Sequence, residues 1–150
     1  METSVKDEKE RCPVCGSSYT FTSSDKCYQC GVTKTDAKKP SVRLLGRLGM
    51  EDDKDEKKLI INTFPVPTEK EDLLDLIMAI HAQAFNIKEG LGKDNMFYLK
   101  YSECIEKAKV FHKDDPELSY YVKEFQKKDK INKIIIIAII IAVIILYSQL

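Results

Sequence analysis

Ile134-Ile135-Ile136-Ile137-Ala138-Ile139-Ile140-Ile141-Ala142-Val143-Ile144-Ile145-Leu146 is an unbroken apolar run. From residue 131 to residue 150 only Asn132, Lys133, Tyr147, Ser148 and Gln149 interrupt it. A helix apolar on every face needs an apolar solvent, and a chain of 150 residues has too small a core to bury one. Twenty residues at a rise of about 1.5 Å span roughly 30 Å, the thickness of a bilayer's hydrocarbon core. Residues 131–150 therefore read as a single C-terminal transmembrane helix with Lys133 snorkelling outward.

Lys123, Lys127, Lys128, Lys130 and Lys133 crowd the N-terminal flank of this span, and no charged side chain follows residue 133. Lysine on one flank predicts that everything before the span faces the cytosol. The charged leader of residues 1–10, Met-Glu-Thr-Ser-Val-Lys-Asp-Glu-Lys-Glu, has no apolar stretch of a secretory signal and agrees with that placement. The expectation is a single-pass membrane protein with a cytosolic N-terminus, in the topology of a tail anchor.

Working back along the chain, residues 59–130 carry helical periodicity. Leu59-Ile60-Ile61-Asn62-Thr63-Phe64-Pro65-Val66-Pro67 is β-prone and then held extended by its prolines. Thr68 and Glu71 have the spacing of a capping box, and Leu73, Leu76, Ile77, Ile80, Ala84 and Ile87 follow at helical intervals as far as Gly90 and Gly92. A second helix is expected after Asp94, with Phe97, Tyr101, Cys104, Ile105, Ala108 and Phe111 on one stripe, and a third at Asp115-Pro116, an N-cap followed by proline. These make a helical domain of about three short helices with no internal repeat. His81 reads as a half-buried helix residue, His112 as a helix C-terminal residue and Cys104 as a small core hydrophobe.

Residues 34–58 are polar and charged, ending in Glu51-Asp52-Asp53-Lys54-Asp55-Glu56-Lys57-Lys58, and read as a linker. Within them Val42, Leu44, Leu45, Leu48 and Met50 surround Arg43 and Arg47, the pattern of a short amphipathic turn that touches a membrane or a partner.

Residues 11–33 contain Cys12-Pro13-Val14-Cys15-Gly16 and Cys27-Tyr28-Gln29-Cys30-Gly31. Paired cysteines at this spacing, in a compartment that keeps thiols reduced, point to metal rather than to disulfides. Each pair is a tight turn that aims two sulfurs at one ion, and four thiolates close a tetrahedral shell around zinc, with a redox dithiol or iron as the lesser options. The intervening Tyr19 and Phe21 alternate with Ser and Thr as in a small hairpin, so the segment resembles a β zinc ribbon. A closed shell leaves no position open for catalysis, and the ion stands in for a core that so short a segment cannot build.

The order of knuckles, charged linker, Phe64-Pro65-Val66-Pro67 leading to Glu71-Asp72-Leu73-Leu74, and Glu106-Lys107-Ala108-Lys109 on a later helix resembles uncharacterised bacterial membrane-anchored proteins with an N-terminal zinc ribbon. That resemblance implies an architecture and no particular chemistry.

Basic and acidic side chains balance at 24 each, so no global field draws the protein to nucleic acid. Around the knuckles, Lys6, Lys9, Arg11, Lys26, Lys34, Lys38 and Lys39 are offset by Glu2, Asp7, Glu8, Glu10, Asp25 and Asp36. The two histidines stand in no catalytic motif, so no enzyme is expected. The favoured function is a protein-interaction adaptor, with Tyr19, Phe21, Tyr28, Arg43 and Arg47 as candidate binding residues. A membrane-tethered nucleic-acid-binding ribbon is the alternative.

Overall fold

A computed structural model describes residues 11–17, 25–90 and 92–148. The chain divides into two compact units, Met1–Ile60 and Ile61–Leu150. Among the described residues it is helical: α1 (Pro40–Met50), α2 (Lys54–Thr63), α3 (Lys70–Ala84), α4 (Met96–Phe111) and α5 (Pro116–Ser148).

The first unit holds the two knuckles and α1. Among the described residues β structure is confined to isolated bridge positions, Arg11 and the antiparallel pair Lys26 and Thr33, so no strand supports the β part of the expected ribbon. The hairpin expected at Tyr19 and Phe21 lies outside the described residues. After the second knuckle the chain turns helical instead. The Thr33 hydroxyl donates to Asp36 and accepts from the Asp36 amide, a reciprocal pair that starts a 3-10 turn at Asp36–Lys38. Pro40 then occupies the first turn of α1, where its missing N–H costs nothing.

Residues 34–58, expected as a linker, are thus largely helical. Leu44 and Leu48 of α1 are buried, while Leu45 and Met50 are exposed, so the amphipathic turn became a whole helix with its main apolar stripe turned inward. The acidic run is a helix start. Asp53 accepts from the amides of Asp55 and Glu56 at 2.9 Å and caps α2, whose first turn carries Asp55 and Glu56 where acids suit the helix dipole. This capping carries helix through Leu59, Ile60 and Ile61, which β propensity alone would have left extended.

In the second unit α3, α4 and the first half of α5 surround a core of Leu73, Leu76, Ile77, Ile80, Tyr101, Ile105 and Leu118, all with essentially no exposed surface. Each such side chain contributes about 1.5–3 kcal/mol by leaving water. Asn95 joins two helices: its Oδ1 accepts from the amides of Phe97 and Tyr98 at the start of α4, and its Nδ2 donates to the carbonyls of Gln83 and Ala84 at the end of α3. The chain before α3 runs along α4 on cationic side chains. Lys100, only 2% exposed, donates to the carbonyls of Asn62 and Phe64, and Lys107 to that of Val66. His112 Nε2 lies 2.6 Å from the Thr68 carbonyl.

Three boundaries differ from the expectation. α3 ends at Ala84 instead of running to about residue 89, and Ile87–Glu89 is a separate 3-10 turn. The Thr68 and Glu71 capping box does not form: α3 begins at Lys70 with Glu69 at its N-cap and no side-chain cap bond. Lys70 instead reaches Asp115 (2.7 Å) and Glu117 (2.9 Å), an ion pair that holds the Asp115 carboxyl below its ordinary range. The third short helix and the apolar span are one helix of 33 residues, because no glycine or proline interrupts the chain after Pro116 and Asp115 caps its start. That helix is long and apolar enough to cross a membrane, and none of its apolar window is buried.

Candidate metal centre

Each knuckle is built by the same two backbone bonds. The amide of Cys12 donates to the Ser17 carbonyl and that of Gly16 to the Cys12 carbonyl, both at 2.8 Å. In the second knuckle Cys27 donates to Val32 at 2.8 Å and Gly31 to Cys27 at 2.7 Å. The second bond folds the chain back hard enough to need a left-handed residue, and Gly16 (φ +74°) and Gly31 (φ +72°) supply it. Space is not the reason for glycine there, since a Cβ at either position would meet nothing within 4 Å.

The turns bring the sulfurs of Cys12, Cys15, Cys27 and Cys30 together, all within 4.8 Å of one another. Cys12 and Cys30 approach to 3.7 Å and Cys15 and Cys27 to 3.5 Å. None of the four is joined in a disulfide. A tetrahedral ion with metal–sulfur bonds of about 2.3 Å would set its sulfurs roughly 3.8 Å apart, so the donor set has the size as well as the softness of a four-thiolate site. The four cysteines are positioned to bind a metal ion.

Their protons are held unequally. The Ser17 hydroxyl, 3.4 Å from Cys27 and 2.9 Å from Cys15, stabilises the Cys27 thiolate and lowers that thiol to about 6. Burial raises Cys30 to about 12. A bound cation would overcome this spread, because coordination removes a thiol's proton outright.

The centre has a floor that spacing rules did not anticipate. Cys12, Val14, Cys27 and Ala37 form a buried cluster, with Val32 and Val42 packed against it. Val42 comes from α1, and α1 also lies on the first knuckle: a Cβ at Gly46 would come 2.3 Å from Val14 Cγ1. Arg47, on the next position, donates from Nε to the Pro13 carbonyl at 3.2 Å. Gly46 in the middle of an otherwise regular helix was the available signal, since glycine there costs helix stability unless something must approach closely.

Among the candidate binding residues, Tyr28 stands 88% exposed beside Cys27. Arg47 is engaged with the first knuckle and Arg43 is half-buried on α1. Tyr19 and Phe21 lie outside the described residues. Cys104 is separate from the cluster: it is fully buried, and burial pushes its thiol up to about 12. His81 sits in a polar pocket of the second unit, with Nδ1 2.9 Å from the Tyr101 hydroxyl and Nε2 3.2 Å from Lys128 Nζ and 3.4 Å from Glu124.

No protein-family model matches the chain, and the comparisons with curated proteins and with solved structures find no match either.

Proposed function

We propose that this protein is a membrane-anchored adaptor whose N-terminal unit is a structural zinc module facing the cytosol and presenting a protein-binding surface. The observation that carries the reading is the convergence of four cysteine sulfurs into one closed shell, two of them buried, beside an aromatic side chain, Tyr28, left almost wholly in water. Zinc suits four thiolates in a tetrahedron and supplies there a fixed cross-link rather than a reactive centre. The knuckles hold that ion, Ser17 bridges one sulfur of each knuckle, Cys15 and Cys27, and α1 closes the module from one side. Exposed aromatic residues on a rigid frame are favoured anchors at protein interfaces. The long apolar helix α5 supports residence in a membrane, and lysine on its N-terminal flank supports the cytosolic orientation.

The test is crosslinking in native membranes followed by mass spectrometry of the captured partners, with nuclease-treated samples and a Cys27→Ser variant alongside. One protein set, resistant to nuclease and lost in the variant, supports the adaptor. Recovery that nuclease abolishes makes the module a membrane-tethered nucleic-acid binder instead. Zinc content of the purified full-length protein should be one per chain and fall in Cys27→Ser.

A further inference from the structure

A second site stands where α5 leaves its polar half. A cavity of about 510 Å³ opens there within the second unit, walled on one side by α5 and on the other by the Gly92–Asp94 turn and the start of α4. That volume falls in the range of about 300–1,000 Å³ usual for small-molecule sites. The α5 wall is a single stripe, Phe125, Asp129, Lys133 and Ile136, so the lining changes character along the helix. Lys133 is the last charged side chain of the chain, and Ile136 lies one turn into the unbroken apolar run. The turn opposite reaches the same level: Gly92 adopts φ +56°, and a Cβ there would sit 3.9 Å from Ile136 Cδ1. The charged groups of the lining therefore sit beside the first residues of the apolar run, with Ile136 at the end nearest the span.

Its charges come as opposite pairs. Lys93 and Asp94 are exposed on the turn, and on α5 Lys133 Nζ lies 2.7 Å from Asp129. The buried Tyr98 donates its hydroxyl to Asp129, which fixes that carboxylate at the cavity wall. Ser102 and the Asn132 amide add neutral hydrogen-bonding groups. A lining with two cations and two anions suits a ligand that itself carries both signs. An anionic head group would meet two carboxylates, and a quaternary ammonium has no N–H to give them.

We propose that this cavity binds one phospholipid with a zwitterionic, amine-bearing head group. Its phosphate would lie on Lys93 and Lys133, its ammonium on Asp94 and Asp129, and its acyl chains would pass along Ile136. This inference rests on the membrane reading of α5.

The experiment is native mass spectrometry of the full-length protein released from nanodiscs of phosphatidylcholine containing equal small fractions of phosphatidylethanolamine and phosphatidylglycerol. A carbonate wash of vesicles of the same composition runs in parallel. One phosphatidylethanolamine should stay on each chain in preference to the other two lipids. Asp129→Asn should reduce that preference over phosphatidylcholine by roughly tenfold, the worth of one charge-assisted hydrogen bond. Lys93→Gln, on the exposed turn and outside the core, should lower retention of every phospholipid with the helical content unchanged. Retention of phosphatidylglycerol above the others, equal retention of all three, or no retained lipid on a protein that resists carbonate overturns the site. A protein that carbonate strips from the vesicles overturns the anchor, and the site with it.

Discussion

Gly46 and Gly49 lie three residues apart on α1 and should respond oppositely to the same change. At Gly46 an alanine methyl would stand 2.3 Å from Val14 Cγ1, inside the wall of the metal centre, whereas at Gly49 it meets nothing within 4 Å. Gly46→Ala should therefore cost about 1–3 kcal/mol through overpacking and speed the transfer of zinc to a chromophoric chelator. Gly49→Ala should slow that transfer slightly, since alanine in an open helix position is worth up to about 1 kcal/mol over glycine. His81 offers a second single-residue test. Burial first, and then the nearby Lys128, lower its pKa below the ordinary value of 6.5, against the opposing pull of Glu124. Tyr101 from α4, Tyr121, Glu124 and Lys128 from α5, and Phe85 beyond the end of α3 are the groups that face it. An unfolded chain takes up a proton below about pH 6.5 that the folded one resists, so stability is full above that pH and falls as pH drops toward the lowered value. His81→Gln should flatten the denaturation midpoint between about pH 7.5 and pH 5.5, a window above the ordinary carboxylate range. An unchanged slope would assign it to another group.

The helices show what could be read from one dimension and what could not. The apolar stripes of α3 and α4, the Asp115-Pro116 start of α5 and the four cysteines were legible because each is a local signal, with period, cap or spacing carried by neighbours in the chain. The role of residues 34–58 was not, because what holds α1 is contact with a knuckle more than thirty residues earlier, through Arg47 and Pro13 and through Gly46 and Val14. Polarity read as a linker is, at Asp53, a cap. Thr68 misled for the opposite reason. The sequence pattern was complete, but Lys107 and His112 tie the chain at Val66 and Thr68 to α4, and the helix starts after them. The chain divides into two compact units at residue 60. Cys27→Ser should accordingly abolish zinc binding while α3, α4 and α5 keep their helicity by circular dichroism. Loss of most of the helical signal would show that the two units fold as one.

At the scale of the whole chain the balance of 24 basic and 24 acidic groups leaves the apolar helix as the strongest pull toward a membrane. Deleting residues 131–150 removes that apolar surface and should leave a protein that carbonate releases from vesicles, while the full chain stays behind. Persistent binding by the shortened protein would shift attention to the exposed Leu45 and Met50 of α1. The point at which α5 turns apolar was plain from hydropathy alone. That the helix passes this point without a break was not, because Lys127, Lys128, Lys130 and Lys133 mark a change of solvent and are at the same time good helix formers.

That continuity makes α5 a lever. Its 33 residues form a rod of about 50 Å, with the packed end of the second unit built on one half and the apolar half left bare. A bilayer thinner or thicker than the apolar half changes the tilt of such a rod. With no hinge between the halves, a tilt imposed on the apolar half of α5 by a bilayer would be carried to the surfaces of α3 and α4.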